Sequence, residues 1–295
     1  MTLIVALLLG IVQGLFMFVP VSSTSHLVLT QTLLREQGAD LPATDSPEMI
    51  LFDLVVHVGT LVSVLIVMGD GLRELGSGVR AELTGGTLRR DGLAGATSTK
   101  LVLLGLLSVA VTGALGLTFQ GVLSDAFGSP RGVAGALVVT GGLLWWTDAM
   151  TSDRSGRRLR FAWRGPAQVT VVVAVLIGVA QAAALTPGLS RSGTTIFAAL
   201  ILGMTRTLAA RYSFYIAIPT ILAATGVQAL QVALGEGFGS ISWAAMAVGF
   251  ATAAAVGTAA LWLVLRLLEA ARFRIFAFYV WALAAVTLAT GLGVE

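Results

Sequence analysis

Few side chains in this sequence can do chemistry, and those that can are clustered. Residues 178–195 read GVAQAAALTPGLSRSGTT and carry Arg191 between Ser190 and Ser192, with Thr194 and Thr195 just beyond. A guanidinium keeps its proton and offers a planar fork of donors that matches phosphate oxygens. At the start of a helix, its position would also favour an anion through the helix dipole. The blander alternative is an arginine that satisfies carbonyls of an irregular turn. Residues 10–26, GIVQGLFMFVPVSSTSH, are built alike: Gly-x-x-Gln in an apolar run, then a proline, then the hydroxyls of Ser22, Ser23 and Thr24. Ser23 and His26 are three apart, which places them on one face of a helix. A hydroxyl beside an imidazole is the minimum for a nucleophile with its base, or for a base that activates water. The alternatives are an N-cap role for the hydroxyls and a histidine that bridges two broken segments.

Other candidates are sparser. Asp53 and His57 stand four apart on an apolar stretch, so they could pair or hold a divalent cation; a helix-start Asp and a carbonyl-bonded His would give the same pattern. Gln13 and Gln181 occupy equivalent places in the two motifs and suit hydrogen bonding between helices, with ligand contact open to Gln13. Asp148 lies near the end of another apolar run. With no cysteine there is no disulfide, thiol chemistry or Cys-based metal site. Neither phosphate-binding glycine motif (Walker A or GxGxxG) is present.

The elements that must position these groups are membrane elements. The 295 residues are 56% hydrophobic and 11% charged, against about 25% charged in soluble chains. Apolar runs at 50–68, 101–119, 132–150, 212–230, 243–265 and 275–292 are long enough to cross a bilayer. The N-terminal run reads as mature structure rather than a signal peptide. Residues 3–19 meet Pro20 before a short segment at 26–34, and residues 166–185 meet Pro187 before one at 194–204. Helix breaks inside apolar sequence are tolerated only where protein or a polar cavity satisfies them. Both pairs therefore read as re-entrant hairpins. Residues 70–100 read as a glycine-rich basic loop and 120–130 as a turn.

With the loop at 70–100 inside the cell, all 18 basic residues except Arg35, Arg131 and Arg191 fall on one side. Each half then makes an odd number of crossings, so the halves are inverted. The expectation is an all-α integral membrane protein with an inverted-topology repeat, each half a re-entrant helical hairpin plus three transmembrane helices. The first repeat is 1–150, the second 166–295, and 151–165 is a basic cytoplasmic linker. Matching interruptions in two halves point to a binding site between them. The net charge of +3, held in short loops between spans, implies no nucleic-acid partner.

The motifs GIVQGLFMFVPVSSTSH, FDLVVHVGT at 52–60, PGLSRSGTT and RYSFYIAIPT at 211–220 resemble the undecaprenyl-diphosphate phosphatases associated with bacitracin resistance, in order and spacing over nearly the whole chain. The resemblance implies a multi-pass enzyme of the bacterial inner membrane that hydrolyses undecaprenyl diphosphate to the monophosphate carrier of cell-wall synthesis. It implies a site open to the outer side and a divalent cation, Mg²⁺ or Ca²⁺, and it is compatible with a homo-oligomer. On matching positions, Ser23 is the nucleophile candidate, His26 its acid/base partner and Arg191 the diphosphate clamp. Ser22, Thr24, Ser190, Ser192, Thr194 and Gln13 surround the substrate. One position departs: the family places an acid four residues after Gln13, and here that residue is Met17. A thioether binds neither Mg²⁺ nor Ca²⁺, so Asp53 would supply the missing carboxylate, or the substrate phosphates would hold the metal. A polyprenyl-phosphate flippase or a non-hydrolytic paralogue is the alternative.

Overall fold

The computed structural model describes residues 1–43, 46–127, 130–151, 165–234 and 242–290; the expected basic linker falls mostly outside them. The described residues form twelve α-helices joined by turns, without strands. In chain order they are α1 Leu3–Phe18, α2 Ser23–Glu36, α3 Pro47–Val67, α4 Gly69–Thr84, α5 Thr87–Gly95, α6 Thr97–Phe127, α7 Pro130–Thr151, α8 Val171–Ala183, α9 Arg191–Ile201, α10 Arg206–Leu234, α11 Trp243–Glu269 and α12 Arg274–Thr290.

Four of them, α3, α6 (over 97–119), α10 and α11, are long and apolar enough to cross a membrane. Large apolar side chains such as Ile66, Leu117, Trp146, Val172 and Leu288 lie more than half exposed. Such surface is a liability in water and ordinary against lipid. At about 1.5 Å per residue, α1, α2, α8 and α9 are each shorter than the roughly 30 Å hydrocarbon core. They come in pairs, α1–α2 and α8–α9, each pair packed on itself around its proline break.

Three expectations are corrected. Residues 70–100 are largely helical, because Leu72, Leu75 and Val79 recur at helical spacing and override the scattered glycines. The turn expected at 120–130 is mostly helix, since no proline interrupts the chain from 97 until Pro130 opens α7. The helix expected from Pro166 begins at Val171, where the Thr170 hydroxyl accepts from the Val173 N–H, after a short 3-10 turn.

Packing crosses between the halves. The first helix of each pair lies against a long helix of the other half, α1 on α11 and α8 on α6, while α7 packs on α12 and α3 on α10. Glycine makes both close approaches possible. A Cβ on Gly10 would stand 2.8 Å from the Gly249 carbonyl oxygen, and one on Gly178 would stand 2.6 Å from that of Ser108. Small residues let helix backbones meet in this way within a membrane. Hydrogen bonds follow: the Ser108 hydroxyl donates to Ala174 O and the Thr112 hydroxyl to Gly178 O. Charged groups gather at one end, where Arg206 donates to Glu269 O, the Arg274 N–H donates to Asp148, and Arg211 stands 3.9 Å from Glu74.

Candidate active site

The first break owes its shape to Pro20, which stops α1 and drives Val19 into extended backbone. The chain then turns through Ser22 at φ 69°, a left-handed conformation rare outside glycine. His26 holds it there: its Nδ1 lies 2.7 Å from Ser22 O. A carbonyl only accepts, so Nδ1 carries the proton and Nε2, in the neutral ring, is the lone pair. That lone pair accepts from the Tyr279 hydroxyl of α12 at 2.8 Å, and the Phe16 ring stacks on the imidazole at 3.9 Å between centroids. Both nitrogens of His26 are thus engaged, and neither meets Ser23. The expected Ser23–His26 hydrogen bond is not made; the Ser23 hydroxyl points instead to Met17 Sδ at 3.8 Å.

The second break turns through Gly188 at φ 90°, where glycine is unstrained. Thr140 of α7 latches it, accepting from the Ser190 N–H at 3.2 Å and donating to Gly188 O at 3.0 Å. The Ser190 side chain caps α9 by accepting from the Gly193 N–H, which puts Arg191 at the first helical position. Ser192 stands 3.4 Å from Ser190, hydroxyl to hydroxyl, while the Thr194 hydroxyl is buried away from both breaks' shared cavity.

The breaks meet. A cavity of about 260 Å³ is lined by Ser22, Ser23 and Thr24 from the start of α2 and by Ser190, Arg191 and Ser192 from the start of α9. Two helix N-termini with their unpaired N–H groups therefore face one space, joined by a cation and several hydroxyls, an arrangement that recruits anions. Phe16 and Met17 of α1, Leu54 and His57 of α3, and Thr220, Thr225 and Gln228 of α10 complete the wall. Met17 Sδ is the shared acceptor for Gln13 Nε2 at 3.5 Å, Ser23 Oγ at 3.8 Å and Arg191 Nη2 at 3.8 Å. Sulfur is a weak acceptor, so three donors converge on a point that holds them loosely.

Asp53 does not reach this space. Its carboxylate accepts from Gln31 Nε2 at 2.9 Å, and its carbonyl accepts from His57 Nδ1 at 2.6 Å. Among the described residues no carboxylate lines the cavity, and no three His, Asp or Glu side chains gather as a metal cage. Divalent Mg²⁺ and Ca²⁺ want charged oxygen ligands, which this donor set does not supply. Gln181 ties α8 to α6 and α10 through Thr112 and Thr220, both at 3.0 Å. A larger cavity of about 450 Å³ lies between α4, α6 and α10, but its walls are mainly aliphatic and its Arg211 already faces Glu74; the smaller one has the lining that suits an anion.

Sequence reasoning placed Ser22, Ser23, Thr24, Ser190, Arg191 and Ser192, all of which line the cavity. It missed Tyr279 and Thr140, for which no local pattern exists, and the α10 contribution. Thr220 and Gln228 lie about two helical turns apart on the continuous α10, and Pro219 inside that apolar run was the readable cue.

Fold and site together describe a multi-pass membrane protein with a cavity, lined by Arg191 and hydroxyls, between paired helix breaks. The model of the family named bacitracin resistance protein BacA matches residues 6–286. An undecaprenyl-diphosphatase of Alkalilimnicola ehrlichii is 46% identical over 99% of this chain and 97% of its own length. One from Halorhodospira halophila is 46% identical over 98% and 97%, and one from Salinibacter ruber 36% identical over 93% and 94%. The chain belongs to the bacitracin resistance protein BacA family.

Proposed function

We propose that the protein hydrolyses undecaprenyl diphosphate to undecaprenyl phosphate and inorganic phosphate, recycling the lipid carrier of cell-wall synthesis and so giving bacitracin resistance. The observation that carries this reading is the meeting of two helix N-termini, Arg191 and five hydroxyls in one cavity without a carboxylate among its described lining residues. Such a space favours a polyanion. The names of the relatives, matched over nearly the whole chain, support a diphosphatase and do not favour the flippase alternative.

The polyprenyl tail stays among the exposed apolar helices and the diphosphate enters between the breaks. Arg191, the N–H groups opening α2 and α9, and the hydroxyls of Ser22, Thr24, Ser190 and Ser192 neutralise charge on the terminal phosphoryl group. Phosphoryl transfer depends chiefly on such positioning and electrostatics. Ser23, or a water beside it, attacks the terminal phosphorus, and the bridging P–O bond breaks with its electrons leaving on the lipid phosphate, which takes up the proton of the attacking hydroxyl; on the Ser23 route water then cleaves the phosphoseryl P–O bond, restoring the serine hydroxyl and releasing inorganic phosphate. Phosphate oxygens displace Met17 as the acceptor for Gln13, Ser23 and Arg191. His26 keeps the first break in its turned conformation. The lining residues supply no carboxylate cage for a divalent cation, so one used in the reaction would have to be held by the oxygens of the diphosphate itself.

The two helix pairs are taken as re-entrant hairpins, 1–150 and 166–295 as inverted repeats, and the site as open to the outer face of the inner membrane. Support comes from the exchanged packing of α1 on α11 and α8 on α6, and from the basic residues gathered at the opposite end. The test is phosphate release from undecaprenyl diphosphate by purified protein in detergent. Protein that stays folded and binds the lipid without releasing phosphate would overturn the reading.

A further inference from the structure

Apart from Thr220, the motif RYSFYIAIPT at 211–220 takes no part in the active cavity, and it borders two others. One is the cavity of about 450 Å³ between α4, α6 and α10. The second, of about 200 Å³, lies where α3 meets α4, beside the start of α10 and the end of α11. Gly71, Arg211 and Tyr215 line both, so the two meet there. Neither shares a lining residue with the active cavity: along α10 the larger one ends at Pro219 and the active cavity begins at Thr220. The junction is rich in donors. The Tyr215 hydroxyl and Arg206 Nη2 are buried without a hydrogen-bond partner. Gly71 makes room for that hydroxyl, which a Cβ there would strike. Arg211 is about half exposed, and its ion-pair partner Glu74 stands 3.9 Å away, beyond hydrogen-bond range. Such donors suit an oxygen with several lone pairs, as a phosphate offers.

Acids share the junction. Glu74 and Glu269 are exposed at its rim, while Asp70 faces Arg73 at 3.3 Å. Arg206 and Arg211 against Glu74 and Glu269 leave no net charge, which disfavours a plain anion and suits a headgroup carrying both signs. From this junction the larger cavity runs along Leu72, Leu75, Leu101, Val102 and Leu106, and Leu106 is half exposed on a helix that is apolar enough to cross a membrane. Its volume is that of an ordinary ligand site, about 300–1,000 Å³. We propose that these joined cavities bind a zwitterionic aminophospholipid of the surrounding bilayer. Its phosphodiester lies on Arg206, Arg211 and Tyr215, its ammonium on Glu74 and Glu269, and one acyl chain along the aliphatic wall. No bond is made or broken there, and the site does not depend on the diphosphatase reading.

The test titrates dioleoylphosphatidylethanolamine onto the full chain in detergent, with bound lipid read by native mass spectrometry. Dioleoylphosphatidylglycerol, dioleoylglycerol and inorganic phosphate are run beside it. Phosphatidylethanolamine should bind wild-type protein about tenfold or more tighter than phosphatidylglycerol or dioleoylglycerol. Arg211→Gln and Glu74→Gln should each remove most of that preference. Gly105→Leu should weaken both phospholipids by filling the apolar wall, since a Cβ there meets only Ile216, at 3.5 Å. Arg191→Ala, in the other cavity, should leave the affinity unchanged. A phosphatidylglycerol affinity within about threefold of that for phosphatidylethanolamine would overturn the assignment. So would competition by inorganic phosphate as strong as by the lipid, which would make this a site for free phosphate. A loss of affinity in Arg191→Ala but not in Arg211→Gln or Glu74→Gln would place the lipid in the active cavity instead. Glu74 is exposed, so Glu74→Gln folds and decides the matter even where Arg211→Gln does not fold.

Discussion

Replacing Met17 by glutamate puts a charge where a thioether now stands. Its Sδ collects weak contacts from Gln13, Ser23 and Arg191 at 3.5, 3.8 and 3.8 Å, so Arg191 gives up this partner to an incoming anion at little cost. A carboxylate there would pair with Arg191. Two unit charges about 4 Å apart at an effective dielectric of about 20 interact by about 4 kcal/mol. At about 1.4 kcal/mol per factor of ten, the diphosphate would have to displace a partner worth up to about three orders of magnitude in affinity. A divalent cation would relieve this, since the new carboxylate and Gln13 Oε1, buried without a hydrogen-bond partner, are both oxygen ligands. The ratio of the phosphate-release rate with Mg²⁺ to the rate in chelator should therefore rise by about 100-fold or more in Met17→Glu over wild type, mainly through KM. Met17→Leu, which adds no charge, should keep the wild-type ratio. An unchanged ratio in Met17→Glu would show that residue 17 does not govern how freely Arg191 meets the anion.

Three further outcomes follow from individual contacts. Tyr279→Phe removes the donor to His26 Nε2, a loss of about 1 kcal/mol, and should slow turnover several-fold; His26→Ala also frees the strained Ser22 carbonyl and should be more severe, so equal effects would contradict the anchoring role. Gly178→Ala and Gly10→Ala each drive a methyl onto a carbonyl of the facing helix and should destabilise by about 1–3 kcal/mol apiece, read as lowered thermal midpoints in detergent; a loss from one but not the other would count against equivalent halves. Glu82 accepts from the N–H groups of Ser98 and Thr99 at 2.8 Å each and so caps α6. Burial works against its charged form, but those donors outweigh it and hold the carboxyl below its usual 4.5. Its support is therefore full above that value and lost only as pH falls through the lowered one, so amide exchange at Ser98 and Thr99 should be slow at neutral pH and fast in Glu82→Gln.

The paired helix breaks were legible in the sequence because proline and clustered hydroxyls seldom stand inside an apolar run unless the helix stops there and a polar space receives it. Arg191 was legible for the same reason, since an unpaired guanidinium in a membrane segment demands a partner. The helices at 69–95 were hidden because glycine lowers propensity locally while Leu72, Leu75 and Val79 pack through tertiary contact, which a count of glycines does not register. The roles of His26 and His57 could not be separated by spacing. Both follow a carbonyl four residues back, and only the fold decides that Tyr279, 253 residues away, closes one ring while the cavity opens on the other. Asp53 reads as a metal ligand beside His57 until Gln31 is seen to hold its carboxylate.

In the proposed function the diphosphate reacts in the cavity between the two breaks, with Arg191 its principal clamp. Phosphate release from undecaprenyl diphosphate by Arg191→Ala, beside wild type and Arg191→Lys, tests it most directly. Arg191→Ala should lose about 1,000-fold or more in kcat/KM. Arg191→Lys should recover part of that, since a point charge lacks the guanidinium fork. A folded Arg191→Ala protein that keeps kcat/KM within about tenfold of wild type would mean that Arg191 is not the clamp and that the diphosphate reacts elsewhere.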